Sequence, residues 1–211
     1  MQQPDSTSHP ALYLRAAGPD GLHGAVSAGA DGVSYAVELR ADGIAAVGGV
    51  PLADALAAAT DLGLRVEIVA GQPLRPASAT PVIAAAAAAL VSARQISPAV
   101  PLSSLDHAGV MAIVRGVPQL SVGLRHLSTL HHGADYARRA GADVLSPMVG
   151  AASRGDVHTA RQHGLVTHGW TVDLDAWPID EVAQVDAAGA AGFDAVTVSD
   201  AALVARMRGE R

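Results

Sequence analysis

Five side chains able to grip a phosphate, hold a cation or carry a proton fall on apolar, strand-like segments: Arg15, Glu38, Glu67, His126 and His168. Ser199 and Asp200 end a further such segment. A guanidinium binds phosphate through paired N–H groups, while carboxylates and imidazoles ligate divalent cations and act as general acids and bases. If strand alternation turned them to one pocket, Glu38, Glu67, His126 and His168 would make a displaced metal centre. Each also has a plainer reading. Glu38 suits a solvated rim, and His126, His131 and His132 form a strand end and loop with no recognised ligand spacing. A buried Glu67 without metal requires a cationic or hydrogen-bonding partner, and Arg15 is the one expected. His158 and His163 are five apart, so on a helix they do not share a face. Ser103 and Ser104 are expected to satisfy local backbone groups.

The elements that would carry these residues can be counted. Branched apolar segments read as strands over Ala11–Arg15, Gly32–Leu39, Arg65–Ala70, Ala99–Ser103, Ser121–His126, Asp143–Pro147, Val166–Val172 and Ala195–Ser199. Ala-rich segments of helical character follow them: Pro19–Ala28, Leu52–Asp61, Thr80–Arg94, Asp106–Gly116, Gly133–Ala140, Ser153–His163, Ile179–Ala188 and Asp200–Arg208. Three helix-to-strand junctions repeat a glycine followed two residues later by an acid: Gly29 to Asp31, Gly141 to Asp143 and Gly192 to Asp194. Glycine tolerates the left-handed conformation that closes a helix. Eight strand–helix units predict a single-domain α/β (βα)8 barrel, the TIM-barrel class, over 11–208, since eight parallel strands with crossovers close without an edge. An open doubly wound sheet is disfavoured: Ala16, Ala17 and Gly18 after the first strand do not make a G-x-G-x-x-G turn. The polar residues 1–10 read as a disordered lead-in.

Composition narrows the chemistry. The formal charge is −6 and all 14 basic residues are arginines without a cluster, which argues against a nucleic-acid partner. The absence of lysine excludes a Schiff-base amine and a Walker-type phosphate loop, and the absence of cysteine excludes disulfides and thiolate sites. The longest apolar run, Val82 to Val91, is about half of the roughly 20 residues a membrane span needs. With no signal-peptide pattern at the start, a cytoplasmic location without a membrane span is expected.

Several segments, in order along nearly the whole chain, resemble the glycerophosphodiester phosphodiesterase family. They are GADGVSYAVELRADG, RVEIVAG, LSSLDHAGVMAIVRGVPQLSVGL, GLVTHGWTVD and GFDAVTVSDAALV. The resemblance implies a metal-dependent phosphoric diester hydrolase whose first strand ends in His-Arg-Gly. Here Leu14 stands for the catalytic histidine, and Arg15 matches the phosphate-binding arginine. Of the three metal-holding carboxylates, Ser34 and Ala36 replace two and Glu67 matches the third. The second catalytic histidine falls near Gly49, where none is present, and Val69 replaces a lysine. Trp170 matches an aromatic wall. Loss of general acid and general base would each cost about 10²–10⁴-fold. The expectation is therefore a catalytically degenerate homologue without a cofactor, binding a small phosphate-bearing ligand through Arg15 and Trp170, or a protein partner of unknown identity. The alternative is an active phosphodiesterase or phosphatase using Mg2+ or Ca2+ at a site relocated to Glu38, Glu67, His126 and His168.

Overall fold

The computed structural model describes residues 9–71, 79–95, 100–128, 132–171 and 180–209. Eight parallel strands are β1 (Ala11–Ala16), β2 (Gly32–Leu39), β5 (Arg65–Ala70), β6 (Leu102–Ser104), β7 (Val122–His126), β8 (Val144–Pro147), β9 (Val166–Trp170) and β10 (Ala195–Val198). Each pairs with its sequence neighbours, and β1 pairs with both β2 and β10, so the sheet closes into a barrel. The helices are α1 (Leu22–Ala28), α2 (Leu52–Asp61), α3 (Ala79–Ser92), α4 (His107–Gly116), α5 (Gly133–Arg139), α6 (Arg154–Gln162), α7 (Glu181–Ala191) and α8 (Ala201–Gly209).

Period-two alternation divides each strand between two environments. Leu12, Leu14, Val33, Tyr35, Val66, Ile68, Val122, Leu124, Val196 and Val198 are buried in the apolar core between sheet and helices. Tyr35 shows the direction, since its hydroxyl donates to the Ala55 carbonyl of α2. The alternate residues face the lumen, and there the buried set is polar: Ser34, Glu67, Ser103, Arg125, Ser146, His168 and Thr197.

The glycine–acid junctions hold the opposite end of the barrel. Gly29 and Gly192 cap α1 and α7 in the left-handed conformation. The carboxylate that follows then accepts the backbone N–H of the preceding strand: Leu12 to Asp31 at 2.7 Å, Val122 to Asp143 at 3.4 Å and Thr167 to Asp194 at 2.8 Å. Arg208 of α8 also donates to Asp31 and to the Gly29 carbonyl, fastening the last helix over the first two strands.

The observed elements differ from the sequence expectation mainly at boundaries. The first helical segment begins as a 3-10 turn, Pro19–Gly21. Ala99, Val172 and Ile179, expected at element ends, lie outside the described residues, as do residues 1–8 of the expected lead-in. A short antiparallel hairpin, β3 (Ala45–Val47) with β4 (Val50–Pro51), was not anticipated. Its two-residue turn is Gly48–Gly49, both at positive φ, the combination that matches hairpin twist. A Cβ on Gly48 would lie 2.5 Å from the Ala17 carbonyl oxygen, so the turn rests directly on the loop after β1.

Candidate functional site

Glu67 is the hub of the lumen. It sits mid-strand in β5, is 0% exposed, and accepts from Ser34 Oγ of β2 at 2.8 Å and from Thr197 Oγ1 of β10 at 3.3 Å, both on Oε2. His168 Nε2 of β9 lies 2.9 Å from Thr197 Oγ1 and 3.7 Å from Glu67 Oε2. Because the threonine proton points at Glu67, its oxygen is left to accept, which assigns the imidazole proton to Nε2. The other carboxylate oxygen, Oε1, faces Arg125 Nη1 of β7 at 3.6 Å.

Burial alone would raise the Glu67 pKa. His168 when its ring carries a proton, the Arg125 guanidinium and the Ser34 hydrogen bond outweigh it and hold the carboxyl below its ordinary value, so it is ionised. Burial pushes His168 down despite the nearby Glu67, leaving it neutral at neutral pH. Burial likewise lowers Arg125, but a guanidinium remains a cation. Tyr13, whose ring packs 4.6 Å from that of His168, is pushed up to about 12 by burial and stays a neutral phenol.

Arg125 is 7% exposed, with its guanidinium 4.6 Å over the Trp170 ring. The indole is fixed beneath it by a 3.1 Å hydrogen bond from Nε1 to the Ser146 carbonyl of β8. Arg15, two residues beyond Tyr13 on β1 and so on the same face, is exposed at the mouth and donates to the Thr171 carbonyl at 3.2 Å. At the same end, Glu181 of α7 accepts from the Ser199 N–H at 2.8 Å and the Ser199 hydroxyl at 3.0 Å, and from the Thr171 hydroxyl.

These contacts revise the residue roles expected from sequence. The partner of Glu67 is Arg125, not Arg15, because Arg15 stands above the buried carboxylate and turns to Thr171. Trp170, 5% exposed, lies under Arg125 instead of forming an open wall. Leu14 belongs to the helix-facing core. Gly49 is part of the hairpin turn, and its N–H donates to Glu38 at 3.2 Å. Glu38 is thus an exposed rim residue engaged by the hairpin turn. His126 points the opposite way from Arg125, outside the barrel wall. Its Nδ1 donates to the Ser128 carbonyl at 2.7 Å, and the ring lines a cavity of about 140 Å³ with Asp135 and Asp156, between α5 and α6. The displaced centre is therefore dispersed over three places, and only Glu67 and His168 come together. His131 lies outside the described residues. Ser104 satisfies its surroundings as expected, donating to Ala70 O at 2.7 Å and accepting from Asp106 N.

The donor set does not fit a divalent cation. Ser34 spends its hydroxyl on Glu67, Ala36 offers no donor atom, and Glu67 commits Oε2 to two hydroxyls while Oε1 faces the Arg125 cation. Among the described residues, no group of three or more His, Asp or Glu side chains converges as a metal site. Hard divalent cations require several oxygen ligands, and one committed carboxylate is insufficient.

No family model matches the chain, and no curated protein matches it in sequence. Its fold, by contrast, matches solved structures over nearly its full length. A candidate glycerophosphoryl diester phosphodiesterase from Silicibacter pomeroyi superposes with a TM-score of 0.75 at 13% identity, covering 96% of this chain and 94% of that one. An Oleispira antarctica phosphodiesterase, solved with its product sn-glycerol-3-phosphate, gives 0.70 at 14% identity, covering 96% and 97%. A glycerophosphodiester phosphodiesterase from Parabacteroides distasonis gives 0.67 at 15% identity, covering 97% and 99%. The chain therefore has the closed eight-stranded α/β barrel fold seen in glycerophosphodiester phosphodiesterases.

Proposed function

We propose that this protein is a catalytically degenerate barrel of the glycerophosphodiester phosphodiesterase type that binds a small phosphate-bearing ligand at the carboxyl-terminal mouth of its strands. The observation that carries this reading is the state of Glu67. It is fully buried, held by Ser34 and Thr197, and ion-paired to Arg125, so it can neither reach a substrate nor gather a metal. The places matched to acid–base histidines hold a core leucine, Leu14, and a hairpin glycine, Gly49. Arg15, exposed at the mouth and engaged by one backbone carbonyl, is free to meet an oxyanion. No helix among the described residues is long and apolar enough to cross a membrane, and a cytoplasmic location is part of the proposal.

The test is release of glycerol phosphate from glycerophosphodiesters with Mg2+ or Ca2+ present. Turnover equal to a matched blank is expected, and turnover well above it would overturn the reading.

A further inference from the structure

Among the described residues, Arg125 has one ion pair and one ring stack but no side-chain hydrogen bond. A guanidinium carries five N–H donors that need an acceptor or water, and no Arg125 nitrogen is among the fully buried atoms without a partner, so the fork keeps some access to solvent. Its nearest carboxylate oxygen, Glu67 Oε1, is 3.6 Å away and is itself without a hydrogen bond. One ring face is covered by Trp170. On the neighbouring strand, in register with Arg125, Ser146 is fully buried with an unpartnered Oγ. Arg15 stands close enough for its charge to oppose that of Arg125. Among the described residues, two guanidiniums therefore share this end of the lumen with one lumen carboxylate, Glu67. Of the described acids at the rim, Glu181 is turned to Ser199 and Thr171, and Glu38 accepts from the Gly49 N–H.

We infer that Arg125 is a resident cation that takes over the electrostatic task of a divalent ion, so that with Arg15 it binds a dianionic phosphate group without metal. This rests on the proposed phosphate-binding mouth and adds its ligand charge and its independence of metal. A guanidinium held by an indole stack is pre-oriented, so its planar N–H fork is presented to an oxyanion at little ordering cost. A dianion is favoured over a diester monoanion because the lumen excess charge acts where water is scarce.

The test is calorimetric titration of the full chain with inorganic phosphate and with dimethyl phosphate, each in EDTA and in Mg2+, on wild type, Arg15→Met, Arg125→Met and the charge-balanced Glu67→Gln/Arg125→Met variant. Near-UV circular dichroism identifies variants that keep the fold, and the balanced pair serves if Arg125→Met alone does not. The expected result is phosphate binding that is equal in EDTA and Mg2+, stronger than that of dimethyl phosphate, and weakened about tenfold to a hundredfold without Arg125. Phosphate binding that requires Mg2+, or that survives loss of Arg125 while failing in Arg15→Met, overturns the inference and leaves the phosphate-binding mouth standing. No phosphate binding by wild type in either buffer overturns both.

Discussion

His168 places a titratable group where water does not reach, and this has a measurable cost in acid. Its pKa is lowered in the folded chain from an ordinary 6.5, so the unfolded chain takes up protons first as pH falls. Stability contributed by the neutral ring is complete above the unfolded pKa and declines as pH drops below about 6.5, by up to about 1.4 kcal/mol per pH unit for one group. His126, also lowered by burial, acts in the same direction. Thermal melts from pH 7.5 to 5 should therefore show a falling midpoint, and His168→Gln should flatten part of that fall; an unchanged slope would count against a neutral buried His168. At this scale the sequence was informative about Glu67 but pointed to Arg15 as its partner where the structure has Arg125. Arg125 could have been found by alternation: Val122 and Leu124 must face the helices, which turns Gly123 and Arg125 inward. Reading the strand end as His126 followed the residue type and missed the face.

The glycine–acid junctions show what an element can gain from a three-residue device. The glycine ends one helix, and two residues later a carboxylate collects a backbone N–H from the strand before it, so helix termination and strand alignment are set together. Asp194 does most, accepting from the Thr167 N–H and hydroxyl while also pairing with Arg161 at 2.6 Å. Asp194→Ala should lower stability by about 1–3 kcal/mol in a denaturant titration, because it leaves a strand-end donor without its acceptor. The repeats were legible in the sequence because glycine and aspartate have strong local preferences. The β3–β4 hairpin was not. Val47 and Val50 flank two glycines whose positive φ values make the turn, but strands of three and two residues carry too little alternation to register.

Closure governs the molecule as a whole. Each barrel strand has a parallel partner on both sides, and β1 joins β10 through four residue pairs from Ala11 to Leu14. Removing any one strand exposes two edges, so the barrel should unfold as a single unit. Calorimetry and near-UV circular dichroism are expected to report one coincident transition; separate transitions would reveal a barrel that comes apart in pieces. The eight-unit count was readable because branched and Ala-rich segments alternate along the chain. The contents of the lumen were harder to read, since residues gathered there come from β2 and from every barrel strand from β5 to β10 and meet only through register. The same β1–β10 seam bears on biosynthesis. Strand β1 leaves the ribosome long before β10, so one of its sides stays unmatched until most of the barrel has been made. Until then that apolar ribbon presents an unpaired edge on which a neighbouring chain could form a wrong pairing.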